Sequence, residues 1–372
     1  MKNIAVFFGG SSVEHDISVI TGVLTANSLD REKYNPIPIY VHNDGVWYTG
    51  ESLLDLDDYK NLNLNKLQRV SLIAGDKKLY SVIKNKKLKV KAEIAVAINC
   101  MHGERGEDGS LAGLLLMCEI PLVSPPMLAS AISMDKNITK TVMRGLRVKT
   151  LPFVTVDENY NVKEITKKIS YPVIVKPCCL GSSIGIVKAN NDKELEIAIL
   201  SGLRYGERVL IEPALKDFIE INCAVYSDGE KNVVSECERP VSKSGFLSFS
   251  DKYVGGKRVF PADIDKEISD KIKEITLKVY GSLYFSGAIR IDYFVKGKEI
   301  YLNEINSVPG SLAFYLFCDT LKEFSVVLDK MIIQTEKRCA KESTFSRRYS
   351  SGVLFSSGSK GAKKKSLADK NV

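Results

Sequence analysis

Short apolar runs alternate with amphipathic stretches over the first hundred residues. Three of these runs have the length and composition of buried strands: residues 4–8, 34–42 and 94–99. Residues 13–29 have the periodicity of a helix, and Ser11 or Ser12 is its expected N-cap. Because strand, helix and strand follow one another, the pattern predicts a small parallel sheet with covering helices. Residues 51–92 are polar and lysine-rich, with hairpin-like pieces that suggest no chemistry.

The pattern changes after Pro125-Pro126, which is a plausible domain boundary. Residues 128–144 are predicted to form one helix. Short predicted strands then surround a second helix at 192–203, in an antiparallel α+β arrangement; the strands are residues 152–156, 173–175, 186–187 and 209–212.

A third region opens with two predicted strands, at 220–226 and 233–237. Isoleucines spaced along residues 264–279 mark one face of an amphipathic helix, and residues 314–333 are predicted to form a closing helix. Together these patterns predict four parts. They are an N-terminal substrate domain (1–124), a central domain (125–212), a C-terminal metal-binding domain (213–337) and a basic, disordered tail (338–372).

Residues 286–310 are the most informative stretch, because they predict a hairpin with charged side chains on one face. Residues 288–295 and 299–305 are rich in β-branched and aromatic side chains. We expect Lys296 to pair with Ile300 across a loop of about three residues that contains Gly297. This register places four side chains on one face: Arg290, Asp292, Glu304 and Asn306.

Two carboxylates, an amide oxygen and a guanidinium on one face are costly for a core. Mg²⁺ takes hard oxygen ligands from one or two carboxylates and completes its coordination with water and phosphate. The face therefore predicts a magnesium site with an anion beside it. A solvated hairpin face is the alternative interpretation at this point.

Composition and charge narrow the class of protein. The chain has 372 residues, of which 44% are hydrophobic, an ordinary content for a globular protein. We expect no membrane insertion, because no apolar run approaches the roughly 20 residues that span a bilayer. The N-terminus lacks the features of a signal peptide. The eight cysteines include no CxxC pair, which predicts a cytoplasmic location.

The net charge of +8 comes mostly from the C-terminus. From Arg338 onward there are nine Lys and Arg against two acidic residues, so the rest of the chain carries about +1. A nucleic-acid-binding body should itself be basic, and this composition argues against nucleic acid as a partner. The tail is interpreted as a solvated segment, with weak attraction to an anionic surface as the alternative.

A second group of residues suggests phosphate binding. Lys176 ends a valine-rich strand and begins a glycine- and serine-rich loop that runs to Gly185. Backbone amides in such a loop can turn toward phosphate, and the lysine adds a charge. The loop lacks the P-loop pattern, and an ordinary hairpin is an equal alternative. Lys136 and Lys252 are further candidate cations, although each alone would be interpreted as a surface lysine.

Two polar clusters follow predicted strands. Residues 14–16 read Glu-His-Asp, and residues 102–109 begin with His102 and carry four more charged side chains. They suggest substrate-facing groups at strand ends. A zinc site is an alternative, although no HExxH or similar ligand spacing is present. For Glu14, Asp16 and Asp108, the alternative is a purely structural role in helix capping.

In this order, the motifs resemble those of the D-alanine–D-alanine ligase family. The match runs from about residue 2 to residue 335 and rests on nine segments: residues 8–18, 102–109, 134–136, 175–177, 181–185, 251–253, 290–292, 303–306 and 309–310. Each motif alone is weak or moderate, whereas all of them in order are highly specific. The resemblance implies α/β and α+β architecture, namely an ATP-grasp fold with an N-terminal parallel-sheet (Rossmann-like) domain.

The reaction implied by the resemblance joins two D-alanine molecules at the expense of ATP, for peptidoglycan precursor synthesis. A carboxylate resists attack by an amine, and phosphorylating it gives an acyl phosphate with a good leaving group. ATP and two Mg²⁺ (or Mn²⁺) ions are therefore the expected cofactors. The resemblance also suggests a homodimer.

The resemblance assigns the nucleotide and metal contacts residue by residue. The metal ligands would be Asp292, Glu304 and Asn306. The phosphate contacts would be Lys136, Lys176, Lys252 and the loop that carries Ser182 and Ser183. Glu212 would lie near the adenine and Glu220 would bind the ribose hydroxyls.

The resemblance also assigns the substrate contacts. Glu14 would hold the ammonium of the first D-alanine, and His102 would order that site. Arg290 and the Gly310 amide would stabilise the oxyanion of the tetrahedral intermediate. Three residues would form a hydrogen-bonded set that closes the loop over the site: Glu14, Ser182 and Tyr253. Ser311 and Tyr315 are candidates for binding the carboxylate of the second substrate.

Several positions depart from the family pattern. Pro213 follows Glu212 where the family often has a second acidic or polar residue, and Glu220 comes one residue later than usual.

Three alternative functions are considered. They are a same-fold ligase that uses D-serine or D-lactate as its second substrate, a nucleotide-binding module without catalysis, and a zinc-dependent hydrolase. Tyr253 argues against D-lactate, since that branch resembles a version with histidine there.

Overall fold

The N-terminal part of the chain forms one mixed sheet of eight strands. The computed structural model describes residues 1–241, 257–346 and 349–350. The first elements are β1 (Lys2–Gly9), α1 (His15–Ser28), β2 (Tyr34–Val41), β3 (Trp47–Thr49), β4 (Gln68–Ile73), β5 (Asp76–Val82), β6 (Leu88–Glu93), β7 (Val96–Asn99), α2 (Ser110–Met117) and β8 (Leu122–Val123). The strand order is β6-β5-β4-β3-β2-β1-β7-β8.

The parallel arrangement predicted for this part is confirmed for half of the sheet. β1 pairs in parallel with β2 and β7, and β7 pairs in parallel with β8. The segment 51–92 supplies β4 to β6, which extend the sheet by antiparallel pairing. The predicted N-cap is wrong. Glu14 is the N-cap of α1, while the Ser12 hydroxyl accepts from the Glu14 N–H at 3.2 Å and donates to the His102 carbonyl at 2.7 Å.

The central part is a four-stranded antiparallel sheet, as predicted. Its elements are α3 (Met127–Met134), α4 (Lys136–Gly145), β9 (Val154–Val156), α5 (Val162–Thr166), β10 (Val173–Pro177), β11 (Val187–Ala189), α6 (Asp192–Gly202) and β12 (Val209–Pro213), with strand order β11-β10-β12-β9. The single helix predicted at 128–144 is two helices. Asp135 between them is extended, and its carboxylate caps α4 by accepting from the Asn137 and Ile138 N–H groups.

The third part contains a second four-stranded antiparallel sheet, in the order β14-β13-β17-β18. Its elements are β13 (Ile219–Ser227), β14 (Asn232–Val234), β15 (Arg239–Val241), β16 (Lys257–Val259), α7 (Lys266–Ser282), β17 (Ile289–Lys296), β18 (Glu299–Asn306) and α8 (Leu321–Ser343). The closing helix predicted at 314–333 begins later, because a short 3₁₀ segment, Gly310–Leu316, precedes it.

The last helix packs on the first sheet. Buried side chains from α8, among them Phe324, Leu328 and Ile332, share one hydrophobic cluster with Phe8 of β1 and Val23 of α1. Chain segments about three hundred residues apart in sequence therefore bury a common core. Among the described residues, no helix has the length and apolar character needed to cross a membrane. The four-part division remains a prediction, with one correction at the tail.

The tail begins later than predicted. Helix α8 continues through Arg338 to Ser343, so the first six residues of the predicted disordered segment are helical. The Arg338 guanidinium donates to the Ser286 hydroxyl and to the Leu122 carbonyl, the latter at 3.3 Å. These contacts tie α8 to both the first and the third parts of the chain.

We expect Arg338 to contribute measurably to stability. A chain that ends after Lys337 should unfold with a free energy lower by about 3 kcal/mol than one that ends after Ser346, since Arg338 makes two hydrogen bonds and those from a charged donor are each worth about 1.5–3 kcal/mol. Denaturant midpoints of the two chains measure the difference. The substitution Arg338→Met in the longer chain separates the side chain from the lost helical turn. Equal midpoints for all three proteins would contradict this role.

Candidate active site

The hairpin of β17 and β18 brings the predicted metal ligands together, although its turn and its register differ from the prediction. Lys296 pairs with Glu299 and not with Ile300, so the turn is one residue shorter than expected. A bulge next to Asp292 then shifts the register by one residue and restores the pairing of Asp292 with Glu304. The two differences cancel. The predicted pair is confirmed, although the predicted turn is wrong.

The bulge also gives Asn303 a new direction. Tyr293 pairs with Leu302 and Asp292 pairs with Glu304, so Asn303 lies between these pairs without a partner in the register. The Asn303 carboxamide oxygen accepts from the Lys176 ammonium at 3.2 Å. Lys176 is thereby held beside the acidic face of the hairpin.

A cavity of about 340 Å³ is lined by residues of both four-stranded sheets. Its apolar walls include the Phe218 and Phe294 rings, whose centroids lie 4.9 Å apart, together with Leu151, Ile174, Ile186 and Leu215. Its polar lining comprises Lys136, Lys176, Lys188, Ser183, Glu212, Glu220, Asn303 and Glu304. Apolar walls with a few convergent polar groups are typical of a site for a flat, partly apolar ligand with a charged end.

A smaller cavity, of about 40 Å³, adjoins this one. Both are lined by a common set of residues: Lys136, Leu180, Gly181, Asn303 and Glu304. The smaller cavity adds two acidic side chains, Glu14 and Glu107. A ligand in the larger cavity can therefore meet a second, cationic ligand at the shared wall.

A buried ion-pair network fixes one wall of the larger cavity. The Glu212 carboxylate pairs with Lys140 at 2.9 Å and also with Lys176. The side chains of Glu212 and Lys140 are each 2% exposed. Burial opposes ionisation of Glu212, but the two lysines outweigh it and lower its pKa to about 2. Burial lowers the pKa of Lys140, and the charge of Glu212 opposes that change.

The Gly-Ser loop lies against the same cavity. The Lys136 ammonium donates to the Leu180 carbonyl at 2.6 Å and lies 3.7 Å from the Glu304 carboxylate. Ser182 and Ser183 both have left-handed backbone conformations, with φ of 54° and 59°. Such conformations are uncommon for residues other than glycine and are frequent at ligand-binding loops.

The Glu14 carboxylate lies at the far side of this loop. It accepts a hydrogen bond from the Ser182 hydroxyl and is buried. A Cβ added to Gly181 would lie 3.1 and 3.2 Å from its two oxygens, and one added to Gly103 would lie 3.1 Å from one of them, so glycine at both positions lets the chain approach the carboxylate closely. Of the predicted loop-closing set, Glu14 and Ser182 are in contact, and Tyr253 lies outside the described residues.

The His102 side chain is buried. Burial and the charge of Arg290 lower its pKa to about 4, so the imidazole is neutral at physiological pH. Its Nε2 lies 2.9 Å from the Thr21 hydroxyl, and that hydroxyl accepts from the Ser311 N–H at 3.0 Å. His102 therefore orders the backbone of the segment that follows Gly310.

Arg290 and Asp292 form a two-pronged ion pair. The guanidinium donates to both Asp292 oxygens, at 2.7 and 2.9 Å, and its third nitrogen lies 3.3 Å from the Tyr315 hydroxyl. Burial works against the charge of Arg290, but Asp292 raises its pKa well above the usual range. Burial also raises the pKa of the Tyr315 hydroxyl. Tyr315 thus lies beside Arg290. A group that contacts the reacting end of a substrate needs this position.

Eight of the predicted site residues line these two cavities: Glu14, Lys136, Lys176, Ser183, Glu212, Glu220, Glu304 and Asn306. The other described ones do not line them: His102, Ser182, Arg290, Asp292, Gly310, Ser311 and Tyr315. Lys252 and Tyr253 lie outside the described residues. Four residues with site contacts were missed by the sequence analysis: Glu107, Lys140, Phe294 and Asn303. Glu107 belongs to the quoted 102–109 motif, which could have drawn attention to it. Lys140 and Phe294 carry no local pattern, because their roles depend on contacts between distant segments.

The donor set on the hairpin suits a hard divalent cation. Asp292 and Glu304 are paired across the strands, and Asn306 pairs with Arg290 on the same face. Carboxylate and amide oxygens are ligands that Mg²⁺ accepts. Within residues 1–241, 257–346 and 349–350, no group of three or more His, Cys, Asp or Glu side chains is placed to hold a metal. The zinc alternative therefore has no ligand group in the described chain.

Comparison with known proteins covers almost the whole chain. A family model described as D-ala D-ala ligase N-terminus matches residues 3–125, and one described as D-ala D-ala ligase C-terminus matches residues 143–335. A D-alanine–D-alanine ligase from Thermosipho melanesiensis is 39% identical, over 89% of this chain and 93% of the relative. One from Proteus mirabilis is 34% identical, over 88% of this chain and 93% of the relative.

Solved structures agree with this result. The VanG D-Ala:D-Ser ligase from Enterococcus faecalis superposes with a TM-score of 0.78 at 28% identity, covering 90% of this chain and 99% of that one. The D-alanine–D-alanine ligase from Helicobacter pylori superposes with a TM-score of 0.75 at 30% identity, over 90% and 98%.

Two antiparallel sheets that share a lysine- and acid-lined cavity, behind an N-terminal mixed sheet, are the architecture of the ATP-grasp enzymes. The predicted fold class is therefore confirmed. Within that class, the chain belongs to the D-alanine–D-alanine ligase family.

Proposed function

We propose that this protein joins two D-alanine molecules into D-alanyl-D-alanine with hydrolysis of ATP to ADP and phosphate. The observation that carries the proposal is the shared wall of the two cavities. A nucleotide in the larger cavity would present its terminal phosphate at Lys136 and Glu304. A D-alanine in the smaller cavity would present its carboxylate at the same place. Holding two reactants in this way supplies much of the rate in phosphoryl transfer.

The nucleotide end of the proposal follows from the cavity lining. The Phe218 and Phe294 rings and the aliphatic walls suit a purine base. Glu212 and Glu220 would then receive its amino group and the ribose hydroxyls. Lys136 and Lys176 would contact the phosphates, with the Ser183 loop folding over them. Lys252 keeps its proposed phosphate contact from the family resemblance alone.

Asp292, Glu304 and Asn306 would hold two Mg²⁺ (or Mn²⁺) ions beside these lysines. When bound, the ions would neutralise the phosphate oxygens and so favour transfer to a carboxylate. The protein's part is to fix the ligands. The Arg290 guanidinium holds Asp292 by two hydrogen bonds, and the strand pairing holds Glu304 opposite it.

The proposed substrate contacts pair groups of opposite charge. Glu14 would bind the ammonium of the first D-alanine, in a position that Ser182 and two close glycines define. Arg290 and the Gly310 N–H would stabilise the oxyanion that forms when the amine attacks the acyl phosphate. Ser311 and Tyr315 are the proposed contacts for the carboxylate of the second substrate. Tyr253 keeps its proposed place in the loop-closing set on the family resemblance.

The identity of the second substrate is the finer part of the proposal. The VanG neighbour is a D-Ala:D-Ser ligase, so this fold also serves a different acceptor. D-Alanine is favoured here because the curated relatives are D-alanine–D-alanine ligases. We further propose a cytoplasmic location and a homodimer. All eight cysteines are free in the structure, which suits a reducing compartment.

A panel of acceptors tests the proposal. Purified protein with ATP and Mg²⁺ should release ADP with D-alanine, but not with L-alanine, and mass analysis should show the dipeptide. When D-alanine and D-lactate compete as acceptors, the dipeptide should clearly exceed the ester at neutral and alkaline pH. The reason is that a site built for an amine leaves polar groups unpaired when D-lactate is bound. Product that is mostly ester, or mostly the D-serine dipeptide at equal concentrations, would overturn the assignment of the acceptor.

A further inference from the structure

Glu107 connects two segments that are far apart in the sequence. One carboxylate oxygen accepts from the Gly103 N–H at 2.9 Å, within its own loop. The other accepts from the Val308 N–H at 3.0 Å, about two hundred residues away. The Ser307 hydroxyl also donates to the Glu107 carbonyl at 3.2 Å. Two hydrogen bonds therefore join the loop after His102 to the segment after Asn306.

The segment that Glu107 holds has an unfavourable backbone conformation. Ser311, Leu312 and Ala313 are all left-handed, with φ of 51°, 51° and 53°. The left-handed conformation is unfavourable for residues other than glycine, and such a run persists only where surrounding contacts determine it. The contacts on this segment include the Glu107 bonds and the bond from the Ser311 N–H to Thr21.

This turn contains the proposed oxyanion donor. Gly310 lies between Val308, which Glu107 holds, and Ser311, which Thr21 holds. The direction of the Gly310 N–H is thus set by anchors on both sides. Glu107 also lines the small cavity. Burial and the negative charge of Glu14 raise its pKa to about 8, while the Gly103 and Val308 N–H groups act in the opposite direction.

We propose that Glu107 is a positioning residue for the ligation, which holds residues 307–311 and the Gly310 N–H in register with the Glu14 pocket. This inference rests on the proposed function. Its chemical consequence concerns the acyl phosphate. When the turn is held, the amine of the second substrate attacks. When it is loosened, water takes the place of the amine and returns free D-alanine and phosphate.

The substitution Glu107→Gln tests this role sharply. Both oxygens of Glu107 accept from backbone N–H groups. A neutral carboxylic acid still has a lone pair on each oxygen, whereas the NH₂ group of glutamine has none to offer. Glutamine must therefore place a donor against a donor at either Gly103 or Val308. Shape and volume hardly change.

We expect kcat for dipeptide formation to fall by about 10- to 100-fold in Glu107→Gln. The reason is that moving a catalytic group, here the Gly310 N–H, by the order of 1 Å can cost about 10²-fold. The KM for ATP should stay within about twofold, since Glu107, Gly103 and Val308 do not line the larger cavity. The ratio of phosphate released to dipeptide formed should rise above one. A residue with only a structural role would lower both products together and leave the ratio unchanged.

Asp108→Asn is the matched control. Asp108 also accepts two backbone N–H bonds, from Arg105 and Ser110 at 2.8 Å each, but both lie within its own loop. This variant should keep the wild-type ratio, and its loss of stability should be smaller because both bonds are exposed. Ser307→Ala removes the second connecting bond without a donor clash and should raise the ratio by a smaller amount.

The outcomes separate this inference from the function. If the wild-type protein forms no dipeptide, the proposed function is wrong. If wild type forms dipeptide and Glu107→Gln has the wild-type ratio and kcat, the positioning role is wrong. Should Glu107→Gln fail to fold, Ser307→Ala decides, and a wild-type ratio in that variant overturns the role. A raised ratio in Asp108→Asn would overturn it as well.

Discussion

Replacing Glu304 by glutamine should reduce phosphoryl transfer by at least about 10²-fold, the scale of losing one preorganised electrostatic group. Glu304 lies opposite Asp292 on the paired strands and 3.7 Å from the Lys136 ammonium, at the wall that the two cavities share. Glutamine keeps the shape and removes one negative charge from the proposed metal site. ADP release at saturating D-alanine measures the effect, and the Mg²⁺ concentration that gives half of the maximal rate should rise.

Glu299→Gln provides the comparison for that experiment. Glu299 lies on the same strand and pairs with Lys149 on the surface, where both side chains are more than half exposed. Its loss should leave turnover unchanged within about twofold, because exposed pairs contribute about 0–1 kcal/mol. Circular dichroism and thermal melting should show that both variants fold. A folded Glu304→Gln protein with near-normal turnover would remove Glu304 from the metal site.

The second large effect is expected at Lys140. Lys140→Met should lower the free energy of unfolding by about 3 kcal/mol, because removing one partner of a buried pair leaves the other charge uncompensated, at a typical cost of about 3–5 kcal/mol. Lys176 remains as a second partner of Glu212, which is why we expect the lower part of that range. Denaturant unfolding monitored by fluorescence or circular dichroism gives the value.

Lys149→Met is the control for Lys140→Met. Its side chain is 55% exposed, against 2% for Lys140, so the same chemical change should cost under about 1 kcal/mol. If the two substitutions cost the same, the buried pair does not stabilise the fold as inferred.

The pH dependence gives an independent check on the Lys140 pair. The pKa of Glu212 is lowered from an ordinary 4.5 to about 2, although burial alone would raise it, because the attraction of Lys176 and Lys140 prevails. Its contribution to stability is therefore present above pH 4.5 and is lost as the pH falls toward 2. The difference between wild type and Lys140→Met should narrow over that interval. A difference that stays constant or grows would contradict the pairing.

Local pattern in the sequence determined a large part of this protein. The strands at 4–8, 173–175 and 209–212 follow from apolar runs with clear ends, because burial of one short segment needs no information from elsewhere. The period-two alternation of a single hairpin placed Asp292 and Glu304 on one face, whereas their pairing depends on a bulge that compensates for a shorter turn. The order of the motifs was sufficient to indicate the family.

Tertiary structure decided what depends on distant segments meeting. The break at Asp135 arises because its carboxylate caps α4 and pairs with Arg208, a residue 73 positions away. The Asn303 side chain at the bulge accepts a hydrogen bond from Lys176, a residue of another sheet. Such contacts leave no periodic trace, because each involves one side chain whose neighbours in sequence do something else.

The buried charges make the same point most clearly. Lys140 and Glu107 are ordinary charged residues in the sequence, where a charged side chain is expected in solvent. Only the folded chain places Lys140 against Glu212, away from water, and Glu107 in a partly buried contact with Val308. The sequence by itself thus determined the elements and the ligand types of the site. The fold decided which buried partners hold those ligands, because burial and the resulting electrostatic energies are properties of the packed structure.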